Sequence, residues 1–158
     1  MIKKSITLTS AIILLVPLVM ISCATAPSGY VNKDDYMYVD GYKDDAAIVF
    51  TAKLFDSLYH LPMENICPLD VKITRLNGQY SGWNGVTLLE IRPGYHNIFV
   101  GIVGAGIPYM KINVDANKVY ILNCQQLTNA AWLDELIGAK YIPKRKVFVY
   151  EGREYEVP

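Results

Sequence analysis

The stretch that decides the fold class is LDVKITRLNGQYSGW, residues 69–83. Apolar residues occupy every second position from Leu69 to Ile73, which is the pattern of a strand with one buried face. Asn77-Gly78 follows and predicts a tight type I′ turn, because both central residues of that turn need positive φ. The stretch therefore predicts a β-hairpin whose second strand runs along residues 79–83.

Similar strand patterns begin at Ala46 and continue along the chain. Further strands are predicted at residues 46–50, 86–91, 95–103, 110–114 and 119–124. Arg92-Pro93-Gly94 predicts a tight turn between two of them, since Pro presets φ at one turn position and Gly supplies positive φ at the next. Many short strands joined by turns predict an all-β fold, specifically an antiparallel β-sandwich.

One short helix is expected in the C-terminal half, at residues 128–138. Thr128 or Asn129 can cap its start, and Gly138 suits the position after its end. Its apolar positions, at helical spacing, are Trp132, Leu133, Leu136 and Ile137. A final hairpin is predicted from residues 147–150 and 153–157, turning at Glu151-Gly152. In residues 51–68, Pro62 and Pro68 limit any helix to a turn or two.

The N-terminus has the layout of a secretory signal. Lys3 and Lys4 form a basic start, and residues 8–19 form an apolar run that is too short to span a bilayer about 30 Å thick. The next four residues, Met20-Ile21-Ser22-Cys23, resemble the bacterial lipobox. That resemblance implies that Cys23 carries a diacylglycerol and becomes the first residue of the mature chain. An ordinary secretory signal is the alternative.

Three segments follow from this interpretation: a signal peptide at 1–22, a lipidated cysteine with a flexible tether at 23–45, and a β-sandwich domain at 46–158. The tether is rich in small residues and in Asp. Its five Asp residues invite a calcium interpretation, but the spacing and the closing Glu of a calcium loop are missing. A solvated acidic linker is therefore expected.

The balanced charge of the chain limits the classes of partner that it can attract. Fifteen Lys and Arg balance fifteen Asp and Glu, and no basic stripe is present, so nucleic acid is not an expected partner. Such a chain has no electrostatic attraction to anionic lipid either. The expected membrane contact is therefore the lipid anchor at Cys23, since stable anchoring needs more than one acyl chain.

Two segments resemble the PEGA-type modules and related uncharacterised β-sandwich domains of bacterial lipoproteins. They are DVKI…LNG (residues 70–78) and LLEIRPGYHNIFV (residues 88–100), and DANKVY (residues 115–120) looks like a third part of the pattern. The likeness covers residues 46–124. It implies a β-sandwich of the cell envelope without an assigned catalytic activity.

Few residues are candidates for chemistry. With Cys23 lipidated, Cys67 and Cys124 remain in a compartment that permits disulfides, and a bridge between them is favoured over two separately buried thiols. His60 and His96 each lack a metal-ligand or catalytic pattern, so His96 is expected to be a turn or strand-pairing residue. We predict no catalytic residue, no metal and no cofactor.

The sequence thus favours a non-catalytic, membrane-anchored envelope lipoprotein that binds or braces another envelope component, whether a protein or a saccharide. The alternative is a small-ligand or saccharide-binding lipoprotein that stacks its ligand on Tyr80, Trp83 and Tyr95. The expected location is the cell envelope. In a Gram-negative organism it is the periplasmic face of the outer membrane, since Ala24 permits onward sorting.

Overall fold

The computed structural model describes residues 35–38, 44–64, 66–67, 70–81, 84–102, 105–125 and 130–158. The predicted signal peptide, Cys23 and Trp83 lie outside these residues. The described strands are β1 (Tyr36–Tyr38), β2 (Ala47–Thr51), β3 (Val71–Leu76), β4 (Gln79–Tyr80), β5 (Leu88–Ile91), β6 (Gly94–Ile102), β7 (Ala105–Val114), β8 (Val119–Gln125), β9 (Ala130–Glu135), β10 (Lys140–Ile142), β11 (Val147–Tyr150) and β12 (Arg153–Glu156). One α-helix, α1 (Ala52–Tyr59), follows β2, and Pro143–Arg145 form a 3-10 turn. The predicted all-β class and the final hairpin, β11–β12, are confirmed.

The strands form three sheets. The central sheet has the order β1-β5-β2-β8-β9, the outer sheet the order β4-β3-β6-β7, and the C-terminal sheet the order β10-β11-β12. The outer sheet is antiparallel throughout, but β1 pairs with β5 and β2 with β8 in parallel, so the expected purely antiparallel sandwich is wrong for the central sheet. Parallel neighbours need a long connection, and α1 with the whole outer sheet lies between β2 and β8. Residue alternation carries no information about strand direction.

The central sheet is buried on both faces. Ala47 and Val49 pack toward the outer sheet, whereas Ile48 and Phe50 pack toward α1 and the C-terminal sheet. A strand buried on both sides needs apolar residues at every position, which explains the continuous apolar run at the start of the domain. The central and outer sheets therefore form a β-sandwich. The helix α1 and the C-terminal sheet cover the other face of the central sheet.

The two predicted turns have the backbone that their residues require. Asn77 and Gly78 have φ values of 50° and 83°, and β3 and β4 pair on either side of them. Gly94 has φ of 115° and opens β6 directly after β5. The Asn77-Gly78 signal is local, so the sequence was sufficient to place that hairpin. The turn at Gly94 connects two sheets, because β5 lies in the central sheet and β6 in the outer sheet.

The predicted helix at residues 128–138 is wrong, because Ala130–Glu135 form β9, the edge strand beside β8. Strand pairing places Ala131 and Leu133 against the sandwich core, and it leaves Ile137 83% exposed. Gly138 does have positive φ, 85°, but in the turn that leads to β10. An unpaired edge of the central sheet thus outweighs the helical spacing of the apolar residues.

The helix of the fold lies earlier, at α1, in the segment where Pro62 and Pro68 were expected to limit it. It ends at His60, which has φ of 49° and donates its backbone N–H to the carbonyl of Asp56 at 3.0 Å. Phe55 is buried against Phe50, with ring centroids 5.4 Å apart. The helix therefore covers the face of the central sheet that the outer sheet leaves open.

The predicted tether at 23–45 is wrong at Tyr36–Tyr38, which form β1. Tyr36 pairs with Leu88 and Tyr38 with Glu90 in parallel register. Three residues give too short a pattern for a periodicity argument. This part of the expected tether belongs to the edge of the central sheet.

Candidate functional site

A row of aromatic and cationic side chains crosses the outward face of the outer sheet. Arg75 on β3 is opposite Tyr80 on one side and opposite Phe99 of β6 on the other. Tyr109 on β7 continues the line, because its ring lies edge-on to that of Phe99 with centroids 5.4 Å apart. We call these four residues the aromatic row. It includes one side chain from each strand of the sheet.

A β-bulge turns Arg75 outward. The register between β3 and β6 shifts between Ile73 and Arg75, and Ile73 and Leu76 are both buried although they are three residues apart. A bulge inserts one extra residue and redirects the side chains beside it. The outward direction of Arg75 is therefore a consequence of backbone irregularity that simple alternation does not predict.

The guanidinium of Arg75 is held between two rings. Its Nη2 donates to the Tyr80 hydroxyl at 2.6 Å, and its Cζ lies 4.3 Å from the Tyr80 ring centroid and 5.5 Å from that of Phe99. A cation within about 6 Å of an aromatic ring is attracted by the electron-rich face of the ring. These contacts fix a flexible charged side chain in one position before any ligand arrives.

Polar groups flank the aromatic row on one side. The Tyr109 hydroxyl donates to Oδ1 of Asn97 at 2.7 Å, and the backbone N–H of Asn97 donates to Oδ1 of Asn77 at 2.9 Å. Tyr95 precedes Asn97 by two residues on β6, so both side chains leave the sheet on the same face. This face combines ring surfaces with fixed hydrogen-bonding groups.

The structure places two of the three residues predicted to stack on a ligand on the same face, although Tyr95 lies four residues along β6 from Phe99 and outside the aromatic row. Tyr80 is 72% exposed and Tyr95 is 85% exposed, and both lie on the outward face of the outer sheet. Sequence reasoning missed Arg75, Phe99 and Tyr109. Alternation along β6 was a usable signal for Phe99, since it lies between the buried residues Ile98 and Val100. Placing the other two needed the strand pairing.

A second cluster surrounds a buried carboxylate at the interface between the central and C-terminal sheets. Glu90 is 1% exposed and accepts hydrogen bonds from the Tyr36 hydroxyl and from the Lys146 ammonium group. Lys146 also donates to the Tyr36 hydroxyl at 2.9 Å. Its Nζ lies 5.3 Å from the ring centroid of Tyr36 and 5.0 Å from that of Tyr38. A pocket of about 550 Å³ opens beside these groups.

The electrostatics of this cluster favour a structural role. Burial, reinforced by the nearby Glu90 carboxylate, raises the pKa of the Tyr36 and Tyr141 hydroxyls far above the ordinary tyrosine value. The two phenols therefore stay protonated and neutral at physiological pH. Glu90 and Lys146 neutralise each other, and together with Tyr36 they join β1, β5 and the start of β11.

A smaller pocket, about 360 Å³, lies beside β8 and β9 and is lined by Asn123 and Trp132 among others. The amide oxygen of Asn123 accepts the backbone N–H groups of Cys67 at 3.1 Å and of Cys124 at 3.0 Å. The indole N–H of Trp132 donates to Asp134 at 2.8 Å. The polar groups of this pocket thus hold the local structure in place.

The structure joins Cys67 and Cys124 in a disulfide, the pairing that the sequence favoured, with Cα atoms 5.2 Å apart. A bonded pair offers no thiolate, so the sulfur atoms are not nucleophiles in this state. His96 is buried on β6, where Nε2 lies 2.8 Å from the carbonyl oxygen of Arg92. It therefore has the strand-and-turn position expected of it.

Comparisons with protein-family models, with curated proteins and with solved structures find no match. The PEGA-like resemblance therefore stays a prediction. In the part of the chain that the structure describes, no group of three or more His, Cys, Asp or Glu is placed to hold a metal ion. The same part contains no helix long and apolar enough to cross a membrane.

Proposed function

We propose that the protein is a non-catalytic, membrane-anchored envelope lipoprotein that binds a saccharide polymer on the outward face of its outer sheet. The observation that carries the proposal is the aromatic row, Tyr80, Arg75, Phe99 and Tyr109. One face of a sugar ring presents C–H groups that stack on the electron-rich face of an aromatic ring. A line of three rings and one guanidinium across four strands suits a chain of sugars better than a single small molecule.

The chemistry of the row is that of recognition. Tyr80 is widely exposed and held by Arg75, while Tyr109 is half-exposed and held by Asn97. Rings fixed in this way lose little conformational entropy on binding. The amide of Asn97 and the guanidinium of Arg75 supply the hydrogen bonds that a hydroxylated ligand needs.

The proposed location of the protein agrees with a saccharide ligand. Lipidation at Cys23 would place the domain on a membrane of the cell envelope, where polysaccharides are abundant. β1 begins 13 residues after Cys23, so the chain between them reaches at most about 45 Å when fully extended. The tether would let the outer sheet reach polymer close to its own membrane.

The test is binding of the full chain, purified in detergent, to cell-wall glycan. We expect the protein to cosediment with purified sacculi, and we expect Tyr80→Ala with Tyr109→Ala to reduce the bound fraction at least several-fold. Ile137→Ala is the control, because it removes a highly exposed apolar side chain that lies outside the outer sheet. Equal sedimentation of the double variant and the wild type would overturn the proposal. Cross-linking to a protein through Tyr80 without any glycan binding would assign the face to an envelope protein.

A further inference from the structure

The outer sheet carries positive charge and no acidic residue. Strands β3, β4, β6 and β7 contain Lys72, Arg75 and Lys111, and neither Asp nor Glu occurs in them. In the whole chain, by contrast, 15 Lys and Arg balance 15 Asp and Glu. The charge of this sheet is therefore a local property of the proposed binding face.

In the described part of the chain, two of these three cations lack a carboxylate partner. Lys72 pairs with Asp35, with Nζ and Oδ1 2.7 Å apart. Among the residues that the structure describes, no carboxylate lies within ion-pair distance of Arg75 or Lys111. Lys111 is exposed on β7 opposite Asn97, so it lies beside the aromatic row.

The geometry of Arg75 suits an anion. Its hydrogen bond to the Tyr80 hydroxyl uses one N–H, while a guanidinium carries five donors in a planar fork. That fork binds both oxygens of a carboxylate or two oxygens of a phosphate at once. Because the two rings already fix the guanidinium, little side-chain entropy is lost when an anion binds.

We infer that the ligand is an anionic saccharide, whose carboxylate or phosphate is bound by Arg75 and Lys111 while its sugar rings stack on Tyr80 and Tyr109. This inference rests on the proposed function, since it assumes that the row binds sugar. Because the outer sheet is positively charged, it should attract an anionic saccharide more strongly than a neutral one.

The experiment compares matched ligands by calorimetry with the full chain in detergent. The ligands are an oligogalacturonate, its methyl ester, which keeps the rings and removes the charge, and a phosphorylated oligosaccharide. We expect an acidic ligand to bind at least tenfold more tightly than the ester at low salt, and this difference should shrink as salt increases. Whether the galacturonate or the phosphorylated ligand binds more tightly identifies the source of the negative charge.

Charge-removing variants separate this inference from the proposed function. Arg75→Gln should weaken both ligands, because Arg75 also holds Tyr80, but it should weaken the acidic ligand about tenfold more than the ester. Lys140→Gln, on the C-terminal sheet, should change neither. Equal affinity for acid and ester overturns the inference and leaves the proposed function standing. Absence of binding to any saccharide overturns both. Tighter binding of single-stranded oligothymidylate than of either acidic saccharide would assign the face to nucleic acid and overturn the inference.

Discussion

Nδ2 of Asn77 lies 3.0 Å from Nδ1 of His96, and this contact joins the Asn77-Gly78 turn to the start of β6. The Asn77 amide oxygen already accepts the backbone N–H of Asn97, so the group that faces His96 is the amide NH₂, which can only donate. Nδ1 must therefore accept, and Nε2–H donates to the carbonyl of Arg92 at 2.8 Å. The neutral imidazole thus makes one hydrogen bond to each turn. A protonated ring would place its Nδ1–H donor against the NH₂ donor of Asn77.

Stability should therefore decrease in mild acid. Burial lowers the pKa of His96, and the positive charge of Arg92 acts in the same direction. Because the folded pKa lies below the unfolded value of about 6.5, the unfolded chain takes up the proton first as the pH falls. The contribution of His96 is thus fully present above about pH 6.5 and is lost as the pH falls toward its lowered folded pKa.

Urea unfolding across this pH range measures the effect, and His96→Gln supplies the control because it cannot titrate. The wild type should lose more unfolding free energy than the variant between about pH 7.5 and pH 5. Parallel losses in the two proteins would show that other groups cause the acid sensitivity.

The turn at Gly94 provides a second prediction. Gly94 has φ of 115°, and a Cβ placed there meets no atom within 4 Å, so a side chain has room but an unfavourable backbone. Gly94→Val should destabilise the fold by about 1 kcal/mol or more through backbone strain. Ala116→Val is the matched control in thermal unfolding, because Ala116 is an exposed turn residue whose φ is not positive. A Gly94 variant as stable as the Ala116 variant would contradict the role of positive φ.

The local hairpins were predictable because their signals are contained in a few residues. Asn77-Gly78 needs no knowledge of the rest of the chain, and neither does the alternation of Val71 and Ile73. The edge strand β9 was misassigned because Trp132 and Leu133 fit helical spacing. Only the edge of β8, which needs a pairing partner, decides between a helix and a strand. Its pairing is a tertiary effect that local propensity does not contain.

The candidate site was only partly predictable. The exposed rings of Tyr80 and Tyr95 follow from turn positions and alternation. Arg75 faces outward only because of a bulge, and Tyr109 meets Phe99 only through the register of β6 and β7. The register shifts that align the row depend on pairing across the sheet, which a single sequence does not specify.

The Cys67–Cys124 disulfide should contribute strongly to stability. It closes a loop of 57 residues and attaches the segment after α1 to β8. In the chain-entropy account, such a loop stabilises by about 4 kcal/mol. The Cys67→Ala and Cys124→Ala double variant should unfold at much lower urea concentration than the oxidised wild type, and reduction of the wild type should have a similar effect. Two alkylatable thiols in protein taken from the envelope without reductant would contradict the bridge.

Lipidation at Cys23 is a prediction from the lipobox-like residues 20–23. Cys23→Ser should abolish labelling by a fatty-acid analogue and should release the protein from the membrane fraction. Ser22→Ala, which keeps a small residue before the cysteine, should retain both. Unchanged labelling and membrane association of Cys23→Ser would show that Cys23 is not the anchor, and absence of labelling in the wild type would show that the segment is an ordinary signal. In a Gram-negative cell, recovery from the inner membrane alone would contradict the sorting predicted from Ala24.

The ion pair between Glu90 and Lys146 should hold the N-terminal edge strand to the rest of the domain. Glu90 is almost fully buried, while the Lys146 side chain is 43% exposed. Lys146→Met would leave a buried carboxylate without its cation and should cost about 2 kcal/mol, less than a fully buried pair because water reaches the lysine side. Glu90→Gln keeps an acceptor for the Tyr36 hydroxyl, so adding it to Lys146→Met should restore part of the loss.

A double-mutant cycle on Glu90 and Lys146, measured by urea unfolding, isolates this coupling. The matched control is Lys144→Met, because Lys144 pairs with Asp44 at 2.9 Å while both side chains are more than 70% exposed. An exposed pair of this kind contributes at most about 1 kcal/mol. If Lys146→Met is no more destabilising than Lys144→Met, the buried carboxylate does not depend on its lysine. The hydroxyl of Tyr36 would then be the group that fixes β1 to the central sheet.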